Sequence, residues 1–209
     1  MSASLNQALH RLILDQAIAT VEYTEVERQH FLQQNDVQIS QLRLRQEGAT
    51  PEQLEQWLDR ELKIRLFQQR KWGKMLHTYF LKRKHDLDRV SYSIIYLRDV
   101  SLAQELYFRI VEAEQSFAEV ARCYSEGKEA QAGGAVQPIE LGNLPAKLAH
   151  MFYGARPGQL WTPTILNGWI VIVQLNGHFP VQLDLAMQRM LLNEQLENWI
   201  QAQLRQRFP

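Results

Sequence analysis

Over the first 85 or so residues the apolar positions recur every three or four places, the period of a helix with one buried face. Leu5, Leu9, Leu12 and Ile13 predict a helix from about Leu5 to Val21. Thr24 followed by Glu27 is a capping box and opens a second helix. That helix carries Val26, Phe31, Leu32, Val37, Ile39, Leu42 and Leu44, allows a break near Asn35-Asp36, and ends at Gly48. Thr50-Pro51-Glu52-Gln53 starts a third: Thr50 accepts from a free backbone N–H, Pro51 stands where no N–H is needed, and Gln53 reaches back. Its stripe of Leu54, Leu58, Leu62, Leu66, Trp72, Leu76 and Phe80 predicts a helix to about His85, with a bend at Gly73.

The period then changes. Ser91 to Leu97 is β-branched and aromatic and predicts a strand. Ser101 with Gln104, and Ser116 with Glu119, predict the caps of two helices. Gly127 to Gly142 reads as loop, and Leu144 to Phe152 as a short helix. A brief strand is expected at Leu160-Trp161. Trp169 to Leu175 is apolar at nearly every position, which predicts a central strand covered on both faces. Gln182 to Phe208 is amphipathic again, with Leu192, Leu196, Trp199, Ile200 and Leu204 on one face, so it needs a helical partner. The fold class is therefore α+β. Residues 1–89 form an N-terminal helical domain, 90–178 a four-stranded mixed domain, and 179–209 a returning helix that packs on the first part.

Composition narrows the function classes. Lys plus Arg and Asp plus Glu are equal at 23 each, so no electrostatic drive to nucleic acid exists. The run Lys71 to Arg89 is locally basic; a solvated helix face is the expected reading, and an acidic partner or membrane surface the alternative. Cys123 is the single cysteine, so no intrachain disulfide forms. The six histidines show no metal-ligand spacing, and no Lys-Ser/Thr follows Gly133-Gly134, so neither a metal site nor a phosphate loop is expected. The first ten residues lack a basic segment and an unbroken apolar core, and no apolar run reaches the ~18 residues of a membrane span. A cytoplasmic location is the expectation.

The order of elements from Val90 to Gly177 resembles the parvulin-type (PpiC, rotamase) peptidyl-prolyl isomerase domain. The residues that carry the resemblance are Tyr92-Ser-Ile-Ile95, Ser116-Phe-Ala-Glu-Val-Ala with Tyr124-Ser125, Gly133-Gly134, Arg156-Pro-Gly-Gln-Leu160 and Gly168-Trp-Ile-Val-Ile-Val173. The helical flanks resemble the chaperone part of SurA- and PrsA-type foldases, and the whole resembles short cyanobacterial proteins of this arrangement.

What the resemblance implies is rotation about X–Pro bonds without a cofactor. The barrier is about 18–20 kcal/mol. Parvulins combine an apolar proline slot with a polar cluster of two histidines, a Cys or Asp, and a Ser or Thr. On this chain the histidine positions fall on Ser93 and Ile170, the Cys/Asp position on Gly127 and the Ser/Thr position on Asn167. The slot falls on Val136, Leu144, Leu148 and Phe152, with Ile170 beside them. Ser93 and Asn167 remain as the catalytic candidates. The expected function is a parvulin-like foldase that binds proline-containing unfolded or extended polypeptide, with weak or lost turnover. The alternative is a non-catalytic chaperone or adaptor for an exported leader peptide, with an export system as partner.

Overall fold

The computed structural model describes residues 3–207, with side chains from residue 5 onward. Phe208, the expected end of the last helix, lies outside the described residues. Two compact units emerge: residues 1–80 with 183–209, and residues 81–182. The fold is α+β, with the mixed unit inserted between the helical segments of the other.

The helical unit contains α1 (Ala3–Ile18), α2 (Glu25–Leu32), α3 (Asn35–Gln46), α4 (Pro51–Trp72) and α9 (Leu185–Arg207). Both capping boxes form at Thr24 and Thr50. The allowed break is real, with Gln33 and Gln34 separating α2 from α3. The long helix does not continue through Gly73. The chain passes through a 3-10 turn there (Gly73–Met75) before α5 (Leu76–Leu87), and the Gln69 amide sits 2.6 Å from where a Cβ at position 73 would lie.

The returning helix packs as its stripe requires. Leu196 and Ile200 join Ile13, Leu14, Ile18 and Val21 in one core, with Trp72 and Trp199 at its margin. Phe31, Val37, Leu54, Leu58 and Leu62 form a second core.

An ion cluster braces this unit. Asp36 Oδ2 accepts from Arg65 Nη2 at 2.7 Å and pairs with Arg189 Nη1 at 2.8 Å. Burial pushes the Asp36 carboxyl up, but the Arg65 hydrogen bond and the two guanidinium charges outweigh it and hold it below the usual carboxylate range. Asp59 behaves alike: Lys63 and Tyr23 outweigh burial. A carboxyl whose folded pKa is depressed stabilises the fold above its unfolded value and loses that contribution as pH falls through the folded one. We therefore expect the urea midpoint to be flat near neutrality and to drop below about pH 4. The variant Asp36→Asn should start lower and flatten that drop.

The mixed unit holds β1 (Arg89–Leu97), α6 (Val100–Val111), α7 (Phe117–Tyr124), β2 (Ala135–Glu140), α8 (Ala146–Phe152), β3 (Leu160–Leu166) and β4 (Trp169–Phe179). The sheet is antiparallel in the order β2-β1-β4-β3, so β4 is central. Each edge strand carries a proline, Pro138 in β2 and Pro163 in β3, and a proline withholds a donor that an intruding strand would need.

Two local expectations are corrected. The cap of α6 is Asp99, whose Oδ1 accepts from the Leu102 N–H at 2.8 Å, not Ser101. The stretch expected as loop contains β2, because Gly133 and Gly134 (φ 67° and 79°) turn the chain back along β1, where the Gly134 carbonyl accepts from the Ile94 N–H.

Asp88 ties the start of this unit to its end. Its Oδ1 accepts from Lys84 Nζ at 2.7 Å and from the Val181 N–H at 2.8 Å, while its carbonyl accepts from the Leu141 N–H.

Candidate functional site

Strand alternation decides what each face of this sheet displays. Tyr92, Ile94 and Tyr96 of β1 face the same way as Trp169, Val171, Val173 and Leu175 of β4. Leu148 and Phe152 of α8 cover that face. The opposite face carries Ile95, Leu97, Ile170 and Ile172, and packs on Leu106, Phe117 and Val120 of α6 and α7.

The α8 face is unusually aromatic. The Tyr92 and Phe152 rings lie 5.2 Å apart, Phe152 meets Trp161 edge-on at 5.4 Å, and Tyr96 meets Trp169 edge-on at 6.1 Å. Such edge contacts are the favoured arrangement of ring quadrupoles. The Arg98 guanidinium stacks on Trp169 at 4.5 Å and pairs with Glu126 at 3.0 Å.

Leu148 and Phe152 are 2% and 3% exposed, so they are core rather than an open floor. A ligand would meet the half-buried rim instead: Val136, Leu144, Met151, Trp161, Trp169 and Tyr96.

The expected site residues are thus divided. Val136, Leu144, Leu148 and Phe152 come together in or beside one cluster. Ile170 packs with the cluster on the opposite face. Ser93 alternates with Tyr92 and Ile94; it pairs across from Gln174, and its Oγ accepts from Asn176 Nδ2 at 2.9 Å. A one-residue step along a strand flips the side chain to the other face, and that is why neither Ser93 nor Ile170 joins the aromatic cluster.

Asn167 occupies a different kind of place. It and Gly168 have φ of 50° and 84° and join the paired residues Leu166 and Trp169. An Asn-Gly pair with two positive φ values is the sequence of a tight type I′ hairpin, so backbone geometry accounts for Asn167.

Position 127 has a similar explanation. Ser125 Oγ accepts from the Tyr96 N–H at 3.0 Å and the Gly127 N–H at 3.3 Å, and the Glu126 N–H donates to the Tyr96 carbonyl. These bonds press residue 127 against the Tyr96 ring. A Cβ there would lie 2.3 Å from Tyr96 Cδ2. The space that a Cys or Asp side chain would need is taken by the ring, so glycine at 127 and tyrosine at 96 go together.

Two phenols stand on this face, beside the indole N–H donors of Trp161 and Trp169. Burial pushes the Tyr92 hydroxyl up to about 12, with Tyr96 and Glu129 adding to it. Tyr96 is raised by burial and by the Glu129 charge. Both remain protonated at neutral pH and keep an O–H to donate. Matching the chain to family positions singles out neither of them, although the alternation Tyr92-x-Ile94-x-Tyr96 marks them as one face.

Among the described residues no helix is long and apolar enough to cross a membrane, and no group of three metal-ligating side chains is found.

Comparison with known proteins gives the mixed unit its kinship. Residues 100–176 match the family model described as "Rotamase: PPIC-type PPIASE domain". The match starts beyond β1 and runs into β4. This segment is similar to the PPIC-type family of domains. No curated protein matches the chain significantly. Among solved structures, a PpiC-type peptidyl-prolyl cis-trans isomerase domain aligns at 25% identity over 48% of this chain and 99% of its own, with a TM-score of 0.42. The peptidylprolyl isomerase PrsA from Bacillus anthracis aligns at 18% identity over 95% of this chain and 96% of its own, with a TM-score of 0.45. PrsA from Bacillus cereus aligns at 18% over 94% and 76%, with a TM-score of 0.48.

Proposed function

We propose that the mixed unit, as a PPIC-type domain, binds the prolyl segment of an extended polypeptide on the aromatic rim around Tyr96, Leu144, Trp161 and Trp169, with weak or lost isomerase turnover. The observation that carries this is the composition of the rim. It offers apolar and aromatic surface for a pyrrolidine ring together with the protonated phenol of Tyr96, while Tyr92 is 6% exposed and belongs to the core.

The chemistry follows from what an X–Pro rotation needs. The bound ring must be held while the amide twists, and the twisted form must be favoured over the planar one. Apolar contact holds the ring in both forms and so supplies binding without rate. A donor aimed at the twisted amide favours only that form. Tyr96 is the phenol donor of the rim, beside the indole N–H groups of Trp161 and Trp169. A single phenol, wedged against Gly127, is a lesser device than a paired imidazole cluster.

The experiment is a prolyl-peptide isomerisation assay beside an amide-shift titration with the same peptide. We expect saturable shifts at Leu144, Trp161 and Trp169, with an exchange rate close to the uncatalysed one of tens of seconds. Trp169→Ala should weaken binding by about tenfold, the order expected for an aromatic anchor. If residual turnover exists, Tyr96→Phe should lower kcat and leave KM unchanged. A rate equal to that of a PPIC-type domain with its histidines would overturn the proposal of lost turnover.

A second reading is an adaptor that holds an exported or leader peptide without turning it over. The Tyr96 ring filling the place beside Gly127 favours it, because that leaves no room for a polar side chain there.

A further inference from the structure

The turn from Gly127 to Gly134 holds a carboxylate beside the rim. The Glu129 carbonyl accepts from the Ala132 N–H at 3.0 Å and from the Gly134 N–H at 2.8 Å, and the Ala130 N–H donates to the Gly127 carbonyl at 3.1 Å. These bonds fix the backbone that carries the Glu129 side chain. The point where a Cβ at position 127 would lie is 3.1 Å from Glu129 Oε2 and 3.0 Å from Tyr96 Cε2. The carboxylate and the Tyr96 ring therefore flank the same small gap. The charge is felt across it, since Glu129 is among the causes that raise the Tyr92 and Tyr96 phenols.

This carboxylate is poorly compensated. The Glu129 side chain is 17% exposed, yet its ion-pair partner among the described residues is Lys128, whose Nζ stands 3.9 Å away on a side chain 92% exposed. A pair so long and so wet is worth little. The cations nearby are engaged more closely. Arg98 lies 3.0 Å from Glu126 and stacks on Trp169, and Lys147 Nζ donates to the Ile165 carbonyl. One half-enclosed negative group is thus left beside Tyr96. Away from bulk water its attraction for an arriving cation is strengthened.

We propose that Glu129 sets which prolines this chain takes, favouring those flanked by lysine or arginine. This rests on the prolyl-rim reading and names the class of segment that the rim selects. With the pyrrolidine ring on the rim, a flanking lysine lays its apolar stem along the Tyr96 ring and brings its ammonium to Glu129 Oε2. A flanking acidic residue meets a like charge there and is disfavoured.

The test uses the full chain and blocked peptides that share one proline and differ only in the residues on either side of it: lysine, glutamine or glutamate. Affinity is read by amide-shift titration at Trp169. The lysine peptide should bind about tenfold more tightly than the glutamate peptide, the order of one hydrogen bond to a charged group, with the glutamine peptide between them. Glu129→Gln keeps the size, removes the charge and should abolish the preference, whereas Lys128→Gln should not reduce it. Raising the salt from about 0.1 M to about 1 M shortens the screening length from ~10 Å to ~3 Å and should narrow the preference in the parent chain, a readout that does not depend on how the variant folds. No preference in the parent, a preference that survives Glu129→Gln, or one indifferent to salt would each overturn the proposal. Equal binding of all the peptides at Trp169 would sink the role of Glu129 and leave the prolyl rim standing. If none of them moves Trp169, the rim reading itself falls and this inference falls with it.

Discussion

Leu148→Ala should destabilise the mixed unit by about 2 to 5 kcal/mol, the range for deleting a buried leucine side chain and leaving part of its cavity. Leu148 is 2% exposed and joins the cluster that holds Phe152, Val171 and Val173. For a unit of this size each kcal/mol is worth roughly 4–8 °C in melting temperature. Thermal or urea unfolding followed by tryptophan emission would show it. Leu144→Ala should behave differently. Leu144 is only half-buried, at the margin of the same cluster. Its loss should appear chiefly in peptide affinity, with a small change in stability. If instead Leu148→Ala left stability intact and abolished binding, Leu148 would be an open slot residue and the division into core and rim would be wrong.

Gly134→Ala is expected to cost roughly 2 to 5 kcal/mol, from left-handed backbone strain and forced overpacking together. Gly134 has φ 79°, and a Cβ there would lie 2.7 Å from the Ile94 carbonyl oxygen and 3.1 Å from the Phe117 ring. Neither neighbour can yield easily. The first is backbone of the central pair of strands, and the second is core. Gly154 gives the control. Its φ is 68°, but nothing lies within 4 Å of the point a Cβ would occupy, so Gly154→Ala should cost only about 1 to 2 kcal/mol. Equal losses at the two positions would mean that strain alone, and not the close approach to β1, makes position 134 a glycine. Urea midpoints of the two variants decide between these outcomes.

Local chemistry along the chain is enough to place most elements. The capping boxes at Thr24, Thr50 and Ser116 each form with the expected partner three residues on. Such caps join neighbours in sequence, so reading them needs no knowledge of distant contacts. The unbroken apolar run of β4 likewise requires cover on both faces, and the strand is central. Strand β2 escapes such a reading because its pattern is poor: Pro138 and Gln137 interrupt it, and it exists by pairing with β1.

The site is less legible, for a different reason. Matching Ser93, Ile170, Gly127 and Asn167 to family positions tells which residues stand in line, not which way they point. Facing is decided by strand phase, and Ser93 and Ile170 lie on the face away from the aromatic cluster. Gly127 reads as a plain loss in the linear chain, whereas in the fold the Tyr96 ring fills its space.

Period and capping are local properties, and they suffice for the α+β plan and for the return of the last helix to the first ones. The apolar set Val136, Leu144, Leu148 and Phe152 is likewise visible along the chain, once aligned to the family it resembles. The folded molecule adds that Leu148 and Phe152 are core and that Tyr92 and Tyr96 are the phenols of that face. It also brings Gln68 to Asn193 across 125 positions of chain. Those outcomes depend on pairing register and on which side chains fill a shared volume, and neither is written in the neighbourhood of any one residue.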